Sequence, residues 1–141
     1  MANTPDCATP AAAPGRRRYR ACDVTEHLDM TVIGEVCLGV TLTGYQSVLR
    51  GFLDDPSGSL ASLLAALDAG DTAALPARAH AVKGGAASLG LRALHNMATR
   101  LEAPVEGPSP AEGAAHGAAD ALALRALIDM ARGLLQRMGL L

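Results

Sequence analysis

The sequence predicts an all-α fold: an antiparallel up-down-up-down four-helix bundle with a short extra N-terminal helix. Three observations predict it. Half of the 141 residues are apolar, yet there are only two Tyr, one Phe and no Trp, so the core must be built from Ala, Leu, Val and Met. Such a composition suits close-packed helices better than a sheet, where β-branched and aromatic side chains prevail. Apolar residues recur three and four apart over most of the chain, the mark of a helix with one core-facing stripe. Pro, Gly and Asp clusters cut this pattern into helix-length pieces with short connections, which favour antiparallel neighbours.

Residues 1–22 read as a disordered tail or linker, and residues 23–141 as the bundle. The first segment is Thr, Ala and Pro ending in Arg16, Arg17, Arg18 and Arg20, which offers too little apolar surface to order itself. The bland reading of that basic cluster is a solvated linker end. Asp23 or Thr25 can cap the first turn, and Asp29 or Thr31 a short helix through Leu38. Val32, Ile33, Val36 and Cys37 share one face of it, and Gly39 fits its C′ position. Thr41 or Thr43 opens the next helix, with Leu42, Tyr45, Leu49, Phe52 and Leu53 in phase. Pro56 interrupts it, yet Leu60, Leu64 and Leu67 keep the phase. That favours one long helix kinked at Pro56 over two helices with Asp55 as cap and Pro56 at the first helical position.

Gly70 ends this segment. Asp71 caps the third bundle helix, although Pro76 fits only a first turn and moves the regular start towards itself. Gly90 ends that helix. A fourth runs from about Leu91 to Ala103, with Leu91, Leu94, Met97 or Ala98, and Leu101 inward. Residues 104–117 hold three Pro and three Gly and read as an exposed loop. The last helix, about 118–138, carries Leu124, Leu127, Ile128, Ala131, Leu135 and Met138 on one stripe.

Composition excludes several functions. The net charge of −2 argues against a nucleic-acid binder. Three cysteines (Cys7, Cys22, Cys37) without close spacing argue against a disulfide framework or a zinc site. His27, His95 and His116 share no ligand spacing, so no metal site is expected. No run approaches the roughly 18 apolar residues of a membrane span, and no signal-peptide order is found at the N-terminus. A soluble cytoplasmic chain is the expectation.

The stretch that carries chemistry is Ala79-His80-Ala81-Val82-Lys83-Gly84-Gly85-Ala86-Ala87-Ser88-Leu89-Gly90. As a helix it sets His80, Lys83 and Gly84 on one face and Ala79, Val82, Ala86 and Leu89 on the core face. A neutral imidazole is a competent nucleophile near neutral pH. A Lys one turn on can neutralise a phosphoryl group carried by the ring. Gly84 and Gly85 each cost a helix about 1 kcal/mol against Ala, and close approach of another macromolecule is one reason to keep them. The alternative for His80 is a helix-surface histidine without a role, and for Lys83 a solvated charge.

His80, Lys83, Gly84 and Gly90 in this spacing resemble the motif of histidine-containing phosphotransfer domains of bacterial phosphorelays. Phe52-Leu53-Asp54-Asp55, Ala66-Leu67-Asp68-Ala69-Gly70-Asp71 and Arg100-Leu101-Glu102 look similar to the family's flanking segments. The resemblance covers roughly residues 24–141. It departs from the common pattern at Pro76, at Val82 and in the Pro/Gly-rich loop, none of which removes a chemical group.

The resemblance implies a four-helix bundle with an exposed histidine. It implies that His80 accepts a phosphoryl group from a receiver-domain aspartyl phosphate and passes it to another response-regulator receiver. Lys83 would steady the phosphoryl oxygens, Gly84 would give clearance to the docked receiver, and Gly85 would add to it. No cofactor of its own is implied, since Mg²⁺ would come with the receiver's carboxylates. No nucleotide loop is found, so the domain is not expected to phosphorylate itself from ATP. Partners would be receiver domains and a sensor histidine kinase, with no nucleic acid and no membrane contact by this segment. The domain would act as a monomer, free-standing or as the cytoplasmic C-terminal module of a hybrid membrane sensor kinase. The alternative is a helical adaptor that binds a receiver or kinase without transfer. A chemotaxis-type kinase module fits less well, because the chain stops just after the bundle.

Overall fold

The structure, a computed structural model, describes residues 19–103 and 110–141. Among these residues there are six helices and no strand. They are α1 (Ala21–His27), α2 (Met30–Asp54), α3 (Ser59–Ala69), α4 (Leu75–Leu89), α5 (Arg92–Glu102) and α6 (Pro110–Arg137). Helix α3 packs on α4 and α6, and α5 packs on α4 and α6, so these four close into the expected bundle. Helix α1 covers α5 and α6, while α2 lies on α4 and α3. The core is leucine and alanine: Leu49, Leu63, Val82, Leu124 and Leu135 have no exposed surface, Leu94 almost none, and Ala79, Ala86, Ala98 and Ala131 are buried with them. Each fully buried leucine contributes about 1.5–3 kcal/mol. The small alanines let the helix axes approach.

Helix α2 is two helical pieces. Thr41 breaks it with φ 68° and ψ 163°, a region essentially reserved for glycine. Asp29 caps the first piece, its carboxylate accepting from the Thr31 and Val32 amides at 3.2 Å. Thr41 Oγ1 accepts from the Gly44 amide at 3.2 Å and so caps the second. The break expected at Gly39 therefore falls two residues later, and Gly39 keeps a negative φ. The bend is dictated by α4. A Cβ on Gly90 would meet Ile33 at 2.7 Å, and the Tyr45 hydroxyl donates to the Leu89 carbonyl at 2.9 Å. Ile33 and Tyr45 are twelve residues apart, about 18 Å along a straight helix, yet both reach the same end of α4. Only a sharp bend between them allows that.

The single helix running through Pro56 is not found. Helix α2 ends at Asp54 and α3 starts at Ser59. Asp55 does not cap a helix opened by Pro56 either: its carboxylate accepts from the Ser57 amide at 2.9 Å and hydroxyl at 2.8 Å, which closes a turn. The apolar phase survives at Leu60 and Leu67, which bury with Leu49 in one shared core, whereas Leu63 is fully buried there and Leu64, expected inward, only partly. A common neighbour, rather than a continuous helix, keeps the register.

The other ends follow local chemistry. Gly70 and Gly90 both stop helices in the left-handed conformation, at φ 66° and 74°. Asp71 accepts from the Ala74 amide at 3.3 Å, and the helix proper starts at Leu75 with Pro76 in its first turn. In α1 neither Asp23 nor Thr25 is the cap residue. Asp23 sits in the first turn and accepts from the Arg20 amide at 2.7 Å. Helix α6 begins at Pro110, so part of the expected 104–117 loop is helical, since Pro is favoured at a first helical position. Residues 104–109 lie outside the described residues. On α6 the buried stripe includes Leu134, while Met138, expected inward, is 39% exposed beyond the helix end.

Residues 1–18 of the expected tail also lie outside the described residues. The folded part starts before residue 23: α1 begins at Ala21, and the Arg137 guanidinium lies 5.8 Å over the Tyr19 ring. Cys22 is disulfide-bonded, which corrects the expectation against disulfides, while Cys37 is free. The expectation of no apolar run is also corrected. Met30–Ala69 contains an 18-residue window of mean hydropathy 1.3 with at most two charges. Every such window crosses either the break at Thr41 or the turn before Ser59. No unbroken helix of membrane-spanning length is therefore formed there, and a broken backbone leaves polar groups that a bilayer core does not satisfy.

Candidate functional site

The hairpin of α4 and α5 builds the site. Its turn is Gly90-Leu91, and its α4 end is held from three sides. The Leu91 amide donates to the Ala86 carbonyl at 2.9 Å, the Asp29 amide to the Gly90 carbonyl at 2.8 Å, and Tyr45 to Leu89. These bonds satisfy carbonyls that a helix end otherwise leaves orphaned. Burial of Tyr45 pushes its phenol up to about 12, so it remains a donor throughout the physiological range. Arg92 ties the start of α5 to the same junction, with Nη1 on the Thr25 carbonyl at 2.8 Å and Nη2 3.4 Å from Asp29.

On this rigid hairpin His80 projects outward, 69% of its side chain exposed. Ala79 and Val82 on the opposite face are fully buried. His80 Nδ1 lies 2.6 Å from Glu102 Oε1 at the end of α5, and the other carboxylate oxygen of Glu102 pairs with Lys83 Nζ. One carboxylate thus gathers both groups that the sequence singled out. These hydrogen bonds, from Lys83 first and His80 second, hold the Glu102 carboxyl below its ordinary value of 4.5. An ionised carboxylate only accepts. Nδ1 is therefore the protonated nitrogen, and in the neutral ring Nε2 carries the free lone pair.

The two glycines part company. A Cβ on Gly84 would meet nothing within 4 Å, so its face is open. A Cβ on Gly85 would lie 2.5 Å from Phe52 Cε2: this position is taken up by the packing of α2 on α4. The clearance expected of Gly85 therefore serves an aromatic ring of this chain. His95 lies beside the site, Nδ1 3.3 Å from the Lys83 carbonyl, and Ser88 Oγ donates to the Gly84 carbonyl at 3.0 Å. His27 sits on α1 and is buried, and burial pushes its pKa down. Among the described residues no three His, Cys, Asp or Glu side chains converge as a metal site.

Glu102 is the residue that sequence reasoning missed as a participant. It stood only inside the flanking Arg100-Leu101-Glu102 resemblance. Its signal was symmetry: His80 and Glu102 lie eleven residues either side of Leu91, and an antiparallel hairpin turning there brings them face to face.

The Hpt domain family model matches residues 47–137, more than half of the chain and all of the hairpin. The chain belongs to the Hpt domain family. An Hpt domain implies histidine phosphotransfer in a phosphorelay, alongside the kinases and receivers of two-component systems. Helix α1 and the first piece of α2 precede the segment matched to the Hpt model. No curated protein and no solved structure matches the chain.

Proposed function

We propose that this Hpt domain is a phosphorelay intermediate in which His80 is the phosphoacceptor. It takes the phosphoryl group from a receiver-domain aspartyl phosphate and passes it to a second receiver. The observation that carries this reading is the exposed His80 ring held at Nδ1 by the same carboxylate that holds Lys83. The Nε2 lone pair attacks phosphorus and the N–P bond forms. The P–O bond to the donor carboxyl breaks, and its electron pair leaves with the carboxylate. The Nδ1 proton stays on its hydrogen bond to Glu102, which offsets the positive charge the ring acquires. Lys83, beside the ring, neutralises the phosphoryl oxygens. Transfer of this kind needs positioning and charge more than covalent machinery.

Gly84 gives the receiver room to bring its aspartyl phosphate up to Nε2. The receiver supplies Mg²⁺ with its own carboxylates, and this domain does not phosphorylate itself from ATP. It works inside the cell as a monomer, on its own or as the cytoplasmic module of a sensor kinase.

Phosphoryl transfer from a receiver charged with acetyl phosphate to the purified chain tests the proposal. Wild type should gain a label that acid removes and base leaves, and His80→Gln should gain none. Label retained in His80→Gln would place the acceptor elsewhere. No transfer to a folded wild-type chain would leave a non-transferring adaptor.

A further inference from the structure

A groove of about 500 Å³ opens between the start of α3 and the first half of α4, lined by Ser57, Ser59 and Ser62 on one wall and Ala77, Arg78 and Ala81 on the other. It is continuous with the His80 face, because Ala81 follows His80 in sequence and Ala77 lies one turn before Ala81 on the same exposed strip. Four other arginines of the bundle are held by carboxylates, Arg92 by Asp29, Arg100 by Asp120, Arg125 by Asp68 and Arg132 by Asp54, and Arg78 is the arginine that lines the groove. Arg78 makes no ion pair with a described residue. Asp55 and Asp71, the acids nearest the groove in sequence, turn their carboxylates onto Ser57 and the Ala74 amide. Alanine and serine walls offer little apolar surface, so shape and charge decide what binds there.

We propose that this groove seats the acidic rim of the phosphoryl-donating receiver, with Arg78 pairing a carboxylate of that partner. The proposal rests on the phosphotransfer reading and adds a docking residue to it. Arg78 lies on the α3 side of α4, away from the ring of His80, so it selects and orients the partner and takes no part in the transfer itself. An exposed rim charge of this kind governs encounter and its salt dependence more than the chemical step.

The test compares wild type with Arg78→Glu, Arg78→Ser and Arg78→Lys. Phosphoramidate labels His80 without a protein partner and reports intrinsic reactivity. A receiver charged with acetyl phosphate reports docking. Arg78→Glu should raise the KM for the charged receiver about tenfold at low salt, with the maximal rate and phosphoramidate labelling unchanged. Arg78→Ser should fall between, and Arg78→Lys should stay near wild type. The wild-type KM should rise with salt and that of Arg78→Glu should not. Equal KM values for wild type and Arg78→Glu at low salt would overturn the proposal while leaving His80 transfer standing. Normal phosphoramidate labelling without transfer from any charged receiver would bring down the relay reading and this proposal with it.

Discussion

His80 Nδ1 and Glu102 Oε1 lie 2.6 Å apart across the α4–α5 hairpin. The contact fixes which ring nitrogen faces solvent, and Lys83 shares the same carboxylate. Glu102→Gln should keep the fold, since 28% of this side chain is exposed. It should lower the rate of transfer to His80 and leave the receiver's KM nearly unchanged, which single-turnover kinetics separate. Nitrogen NMR of the His80 ring should show the Nδ1–H preference weakened in the same variant.

The same carboxylate gives a pH expectation with a definite sign. Its pKa is depressed by Lys83 and His80. Its contribution is therefore present above the ordinary value of 4.5 and is lost only as pH falls through the lower folded value. Carbon NMR titration of Glu102 should give a midpoint below 4.5. In Lys83→Ala, which removes the largest cause, the midpoint should move back up. An unchanged midpoint in that variant would show that the Lys83 contact does not persist in solution.

Gly84 and Gly85 should answer oppositely to alanine. Gly84→Ala meets no neighbour and should stabilise the helix by up to about 1 kcal/mol while slowing transfer from the receiver. Gly85→Ala drives a methyl into Phe52, and overpacking of this kind costs about 1–3 kcal/mol. Urea denaturation of the two variants reads the difference directly.

Thr41 holds a conformation that suits glycine. Thr41→Gly loses a cap but only a few tenths of a kcal/mol with it, and it relieves strain of about 1–3 kcal/mol. The net should be a more stable domain. Thr41→Ala keeps the Cβ, loses the cap and should be destabilised. Thermal unfolding of both variants decides between strain and capping as the dominant effect.

The Tyr45 phenol, raised by burial from 10.0 to about 12, ties alkaline stability to the site. A raised folded pKa means stability present below the unfolded value and lost as pH climbs from 10 to about 12. Tyr45→Phe should lose about 1–3 kcal/mol at neutral pH, because the buried Leu89 carbonyl loses its partner. It should also lose stability less steeply than wild type in that alkaline window.

Local chemistry in the sequence was enough for much of this molecule. The apolar periodicity set the helical class and most of the buried stripe, because one face of each helix must leave water. Gly70 and Gly90 stopped their helices because a left-handed residue is cheapest as glycine. The spacing of His80, Lys83 and Gly84 set their shared face, because a helix turns every 3.6 residues. Tertiary structure decided the rest. It bent the chain at Thr41, because Ile33 and Tyr45 both anchor on one end of α4. It separated α2 from α3 while keeping their register, because both bury in the same core. It gave Gly85 to Phe52 and Glu102 to His80 and Lys83. Those pairings join residues distant in sequence, and only the packing of one helix on another brings them within reach.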